Sequence, residues 1–351
     1  MKILISSDGM HAHYYQRLAW LKAFRSCGFE ASFWDCKNTS AFDAFDRFEP
    51  DVFLGQLYNL DDSLIKCIYE RPHLKVGLRA GDWGEHNKKI DPFKFNILST
   101  SHKEIDIIKK LKDETGKPDF VHIHYDSEAM EETHDRFSSI GVNTLSLMMC
   151  ADIEEYLFSS HDESLECDIG FVGGYWPYKG QIIDKYLLPL CHPVGKYNIK
   201  IFGNQPWHGV NQYCGMLADN KVANLFKSSA ICPNLSEPHA HEYGFDVNER
   251  VFKVLCAGGF CISDNVKSLK NIFDNSGVVF ADSPEEFRDR VDYYLVHPEE
   301  REEISTIGKQ TVLNNHTNFH RAATILEAFG YSGDAENVLT AWDKTRSNLN
   351  V

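Results

Sequence analysis

Short apolar runs alternate with amphipathic stretches along the whole of this 351-residue chain. In the first half the apolar runs fall at 2–6, 30–35, 51–55, 74–79, 94–99, 119–124 and 143–148, with helical patterns between them at 11–26, 62–70, 102–114 and 126–138. A second series follows. Its apolar runs lie at 167–172, 198–202, 229–233, 259–263 and 277–280, and its helical patterns at 179–189, 219–227, 247–257, 283–296, 299–314 and 317–330. Repeated alternation of this kind predicts parallel sheets with helices on both faces.

The polar stretch Ser159-Ser160-His161-Asp162-Glu163-Ser164 separates the two series and reads as a linker. The expected architecture is α/β, with two Rossmann-like domains facing each other across a cleft. They cover 1–155 and 165–320, and 321–351 forms a terminal helix or tail. A net charge of -15 argues against broad electrostatic contact with nucleic acid or an anionic membrane, although Arg79, Lys88, Lys89 and Lys94 leave room for a local basic cleft. The ten cysteines contain no CxxC pair and sit mostly in apolar runs, which suits reduced, buried thiols in a cytoplasmic protein. Met1-Lys2-Ile3-Leu4-Ile5 reads as a first strand, too short for a secretory signal. No run approaches the roughly 20 apolar residues of a membrane span.

The most telling stretch runs from Asn248 to Asp264. A helical pattern carrying Arg250 and Lys253 on one face leads into Gly258-Gly259 and then an apolar strand ending in Ser263-Asp264. Glycines let backbone approach a bulky group, so the pattern suits a site for a phosphorylated ligand. Asp168 to Gly180 has similar logic. A strand, a Gly173-Gly174 turn and a helix start follow one another, and Lys179 could add a positive charge. Backbone amides at a helix start favour phosphate. Ile201-Phe202-Gly203-Asn204 repeats the arrangement at the next strand end. Ligands of open α/β sheets bind at the carboxyl ends of strands, so these loops are expected to converge.

Residues 248–321 resemble the C-terminal domain of CgeB-like glycosyltransferases. The resemblance rests on Arg250-Val251-Phe252, Gly258-Gly259, Ser263-Asp264, Pro284-Glu285-Glu286, His297-Pro298-Glu299-Glu300-Arg301 and His316-Thr317-Asn318-Phe319-His320-Arg321, in that order. It implies the GT-B fold and transfer of a sugar from a nucleotide-sugar donor, usually a UDP-sugar, to a hydroxyl on a glycan or small molecule. It also implies no bound metal or other cofactor. The donor would lie against Gly173, Gly174, Trp176, Lys179, Gly203, Asn204, Glu249, Arg250, Lys253, Gly258 and Gly259. One position departs from the family: Lys253 stands where a carboxylate usually binds the ribose hydroxyls, and lysine accepts no hydrogen bond. Either Glu249 takes over, or the ribose is held otherwise, or Lys253 contacts phosphate.

The order of motifs over most of the chain is also similar to that of phage DNA β-glucosyltransferases, which would make a modified nucleobase the acceptor. That likeness points to Asp82, in Arg79-Ala80-Gly81-Asp82-Trp83-Gly84-Glu85-His86, as the base that takes the acceptor proton. Glu85 and His86 are neighbouring alternatives. His11 and His13, after the first strand, are further candidates for a base or a substrate contact. Inverting transfer needs such a base and retaining transfer does not.

Two other readings of the sequence stay open. One is a GT-B relative that binds sugar nucleotides or glycans without turnover. The other is a metal-dependent hydrolase of amidohydrolase type, suggested by the pairs His11/His13, His122/His124 and His239/His241.

Overall fold

The computed structural model describes residues 1–7, 12–80, 101–273 and 277–349. Eleven strands are described, β1 Lys2–Ser7, β2 Glu30–Asp35, β3 Val52–Gln56, β4 Lys75–Arg79, β5 Phe120–Ile123, β6 Asn143–Ser146, β7 Cys167–Val172, β8 Ile199–Phe202, β9 Ser229–Asn234, β10 Cys261–Asp264 and β11 Val278–Ala281. They form two sheets, and every pairing within them is parallel. The alternation of apolar runs and helical stretches therefore does what parallel pairing requires: each connection carries a helix back over the sheet. The run at 94–99 lies outside the described residues.

The chain divides into two compact units, Met1–Met148 with Asn318–Val351, and Met149–Thr317. In the first, the strand order is β2-β1-β3-β4-β5-β6. All five residues of β3 and all four of β5 are buried, whereas the edge strands β2 and β6 are largely not. This is the burial expected of central and edge strands in a sheet covered on both faces. Phe45, Phe53, Leu64, Val76 and Val121 fill one side of that core.

The end of the chain belongs to this first unit. Helix Asn318–Ala328 is tied to it by Asn318 Nδ2, which donates to Ala19 O at 3.0 Å, and by Arg321 Nε, which donates to Met148 O at 2.7 Å. Phe329 meets Phe120 with ring centroids 4.7 Å apart. Trp342, on helix Ser332–Leu349, is 1% exposed and stacks on Phe319. Residues 318–320 thus pack with the first unit, and the expected tail comprises the rest of helix Asn318–Ala328 and helix Ser332–Leu349.

The second unit has the order β11-β10-β9-β7-β8. Ile169, Phe171, Ile201, Ile231, Ile262 and Phe287 lie at zero exposure in its core. β7 pairs with β8 on one side and with β9 on the other, so the strand order reverses at β7/β9. A crevice opens outside the carboxyl ends of strands at such a point. The stretch expected to be a linker is fastened to this unit instead. Ser159 Oγ donates to Ala257 O at 2.8 Å, Ser160 N donates to Asn224 Oδ1 at 3.0 Å, and Asp162 pairs with Lys221 at 2.9 Å. Its short polar side chains compose a surface clasp, with Asp162 also capping the turn at Glu163–Leu165.

The helical pattern at 126–138 is broken into Ser127–Thr133 and Asp135–Ser139. Thr133 Oγ1 donates to Ala129 O, and His134 leaves the helical region with φ -126. Helix Ala41–Phe48 is an addition to the elements expected from periodicity. It starts at Ser40, whose hydroxyl accepts from Asp43 N, and buries Phe45.

Candidate donor-binding site

The helix Arg250–Cys256 leads into β10 and so runs antiparallel to the strands. Its first residue, Arg250, is thereby delivered to the carboxyl end of the sheet. There its Nε and Nη2 donate to Val172 O, the last carbonyl of β7, at 3.2 and 3.0 Å. The guanidinium also lies over the Phe171 ring, 4.5 Å from its centroid. Its Nη1 is buried with no hydrogen-bond partner. Burial lowers the Arg250 pKa, with Glu249 the leading opposing influence.

Lys179 meets this cation from the other side. It lies in the first turn of helix Pro177–Tyr186, which begins just past the Gly173-Gly174 turn. The side chain is buried, at 7% exposure, and its ammonium is 5.4 Å from the centroid of Trp176. Burial, and then the Arg250 guanidinium, push the Lys179 pKa down to about 8, against the pull of Glu237, Asp264 and Glu249. Trp176 itself is 44% exposed and precedes Pro177 without a side-chain cap. The first amides of a helix have no partner within it, so this end presents N–H groups beside two cations.

The glycines here are fixed by close approach, of backbone at Gly203 and of side chains at Gly173 and Gly174. A Cβ on Gly203 would lie 2.4 Å from Gly173 O, and one on Gly173 would lie 2.8 Å from Arg250 Nη2. A Cβ on Gly174 would lie 2.7 Å from the Trp176 ring. Gly173 N donates to Phe202 O at 2.9 Å, and Trp207 Nε1 donates to Gly173 O at 3.2 Å. Asn204 follows Gly203 on the exposed surface. Gly173, Gly174, Trp176, Lys179, Gly203, Asn204 and Arg250 are therefore gathered at the ends of β7 and β8.

Gly258 and Gly259 are not gathered there, which corrects the expectation. They lie at the opposite end of the Arg250–Cys256 helix, at the entrance to β10. Gly258 adopts φ +73 and, with Gly259, caps the helix through bonds to Leu255 O and Val254 O. A Cβ on Gly259 would lie 2.7 Å from Phe226 O. The pair serves helix termination and close packing at the amino-terminal end of the sheet.

Lys253 and Glu249 form an ion pair at 2.6 Å, with side chains 12% and 19% exposed. The Lys253 ammonium lies 5.5 Å from the Tyr156 centroid. Burial opposes its charge, but Glu249 and Tyr156 outweigh burial and raise its pKa. Arg250 and Lys253, close together in sequence, thus do different things. One faces the Val172 carbonyl, and the other neutralises the acid one turn before it.

The connection from β9 to this helix contributes residues that strand and helix patterns do not single out. Asp264, at the end of β10, is fully buried. It accepts from Ser236 N at 2.7 Å, from Ser236 Oγ at 2.9 Å, and bonds His241 Nε2 at 2.8 Å. His239 bonds Asp246 through Nε2 at 2.5 Å and Tyr178 Oη through Nδ1 at 2.8 Å. Asp246 holds the left-handed region at φ 76, where a non-glycine residue is strained. Two histidine–aspartate links thus fix the loop beside Lys179. The polar cluster Ser236-Glu237-Pro238-His239-Ala240-His241 is the sequence signal for it.

In the first unit, His13 Nε2 lies 2.8 Å from Arg79 Nη2. His122 on β5 and His124 just after it are buried, and burial, then Arg79, hold His122 well below its ordinary pKa. Asp82, Glu85, His86, His11, Lys88, Lys89 and Lys94 lie outside the described residues. Among the described residues no group of three or more His, Cys, Asp or Glu is arranged to hold a metal ion. The His239 and His241 rings are committed to Asp246 and Asp264, so nothing supports the hydrolase reading. No described helix is long and apolar enough to cross a membrane.

Residues 187–327 match the family model described as glycosyl transferase-like. Among solved structures, sucrose-phosphate synthase from Thermosynechococcus elongatus aligns at a TM-score of 0.64 and 9% identity, over 94% of this chain and 98% of that one. The fold is GT-B. The matched stretch, less than half of the chain, is thus similar to glycosyl transferase-like proteins. Other GT-B structures align similarly. Anabaena HepE, solved with UDP and glucose, gives a TM-score of 0.58 at 10% identity, over 94% of this chain and 99% of that one. T4 phage β-glucosyltransferase, solved with its UDP-glucose substrate, gives 0.55 at 13% identity, over 95% and 99%. No curated protein matches by sequence. In GT-B terms, Arg250, Lys179 and the Gly173-Gly174 turn occupy the carboxyl-terminal edge of the second unit.

Proposed function

We propose that this glycosyltransferase takes a UDP-sugar donor and holds its diphosphate at the ends of β7 and β8 through Arg250, Lys179 and the amides after Gly173. The observation that carries this is the convergence of two cations at one loop. Arg250 has a buried Nη1 without a partner, and Lys179 lies close enough for Arg250 to depress its pKa. Like charges brought together out of water are costly, and a diphosphate between them removes that cost. UDP as the nucleotide is supported by the ligands of the HepE and T4 phage structures.

The chemistry follows from the same charges. Breaking the sugar–phosphate bond leaves negative charge on the departing diphosphate, and preorganised cations and amides stabilise it as it forms. These groups perform the task a metal performs elsewhere, so the reaction is proposed to run without a bound metal. Arg250 is pre-positioned by Val172 O, and Lys179 by its tight burial. Neither needs to reorganise when charge develops. The acceptor is proposed to be a hydroxyl on a glycan or small molecule, deprotonated by Asp82 if transfer inverts. The Glu249–Lys253 pair leaves Glu249 as the acid nearest Arg250 for the ribose hydroxyls. None of the ten cysteines is in a disulfide, which suits a cytoplasmic setting.

A thermal-shift series with UDP, ADP, GDP and their glucose conjugates tests the reading. UDP and a UDP-sugar should raise the melting temperature more than the purine nucleotides. No stabilisation by any diphosphate would overturn it.

A further inference from the structure

The other end of the second sheet, where the strands begin, holds a groove of ≈ 640 Å³. Gly258 lines it, together with Asp168, Lys227, Arg301, Ser305 and Lys309. The volume is within the range of small-molecule sites, and the donor chemistry at Arg250 does not use it.

Two lysines from different helices converge over one glycine here. A Cβ on Gly258 would lie 3.4 Å from Lys227 Nζ and 3.9 Å from Lys309 Cδ. Gly258 has to be glycine for its φ of +73, and both lysine chains lie in van der Waals reach of its Cβ position. Neither ammonium has a hydrogen-bond or ion-pair partner among the described residues. Three acids share the groove: Glu302, Glu166, which pairs with His161 at 3.4 Å, and Asp168, which accepts from Asn198 N at 2.8 Å. Burial lowers the Lys309 pKa, Cys256 opposes it, and Lys227 lowers it further.

The rest of the groove runs along helix Pro298–Asn315. Arg301 lies eight residues before Lys309, about 12 Å along the helix axis. Its Nη1 donates to Leu295 O at 3.2 Å and also to Tyr294 O, which fixes the side chain. Small residues, Ser229, Ala230 and Ser305, line the groove along with Phe260 and Thr306. Such a channel has one strongly cationic end and room for a body of several atoms. Paired ammoniums act as point charges, which suits a phosphoryl dianion better than a planar carboxylate.

We propose that this groove is a second ligand site, taking a small phosphorylated molecule with its phosphoryl group between Lys227 and Lys309 and its body directed toward Arg301.

The test uses inorganic pyrophosphate, titrated calorimetrically into the full chain carrying Arg250→Ala, which disables the donor site. One binding event should persist. Lys309→Gln and Lys227→Gln, each added to that background, should weaken it by about tenfold, the loss expected for one charge-assisted contact. Lys227 is exposed, so its substitution reports on binding even if Lys309→Gln perturbs folding. Failure of pyrophosphate to bind the Arg250→Ala protein would overturn the proposal. So would binding that survives both lysine substitutions unchanged.

Discussion

Arg250 and Val172 are locked together across the second sheet. Two guanidinium nitrogens, Nε and Nη2, donate to one carbonyl oxygen at 3.2 and 3.0 Å, while the third, Nη1, stays buried and unpartnered. The arginine is thus both a fastener for the end of β7 and a held cation. Its removal is expected to affect loop stability as well as donor binding, and the two effects separate in Arg250→Lys. Lysine retains the charge but not the fork.

Lys179 sets a pH dependence. Its pKa in the folded protein is about 8, below the ordinary lysine value of 10.5. Between these values the unfolded chain binds more protons than the folded one, so this group makes stability rise with pH over about 8 to 10.5. Donor binding moves the opposite way, because a diphosphate needs the protonated form. UDP affinity should fall as pH rises through 8 and beyond. Lys179→Met should weaken binding at pH 7 and flatten the profile, as read by calorimetry from pH 6.5 to 9.5.

Gly203 tests the close approach of two loops. A methyl group there would meet Gly173 O at 2.4 Å, and backbone on both sides leaves little room to yield. Gly203→Ala should cost about 1–3 kcal/mol in denaturant unfolding, the usual cost of overpacking. UDP binding should weaken with it, since Gly173 carries the turn. Gly174→Ala has a movable Trp176 ring as its neighbour and should cost less.

Much of this site is legible in the amino-acid sequence. Arg250, Lys179 and Gly203 each stand near a strand end marked by glycines, and alternation alone puts the ends of β7 and β8 on one side of a parallel sheet. Gly258-Gly259 shows where such reading stops. Paired glycines look alike whether they cradle a ligand or cap a helix, and only the direction of helix Arg250–Cys256 decides. The Asp264–Ser236 and Tyr178–His239 contacts join residues 28 and 61 apart in sequence, so no local pattern announces them. The Glu249–Lys253 pair is different. Its i,i+4 spacing is open to view and explains the departure at Lys253.

That ion pair can be tested by a double-mutant cycle. Lys253→Met leaves Glu249 largely buried without its partner and should destabilise the protein by about 2–4 kcal/mol. Glu249→Gln strands Lys253 in the same way. The double substitution should be milder than the sum of the two, by about 1 kcal/mol or more. Additive effects would mean that the pair is not coupled.

Asp82 is proposed to carry the acceptor side of the reaction, through the resemblance to phage DNA β-glucosyltransferases. Asp82→Asn removes a base without changing size. If transfer inverts, turnover should fall by at least about 100-fold. UDP affinity should remain as in the parent protein. A fall in UDP affinity with unaltered turnover would reassign the residue.

Arg250 is proposed to hold the donor diphosphate, and calorimetric titration of UDP into the parent and Arg250→Ala proteins tests this most directly. Saturable binding to the parent is expected, with a loss of about 100-fold or more, roughly 2.7 kcal/mol, on substitution. UDP that binds the two proteins equally well, or fails to bind the parent at all, would contradict it.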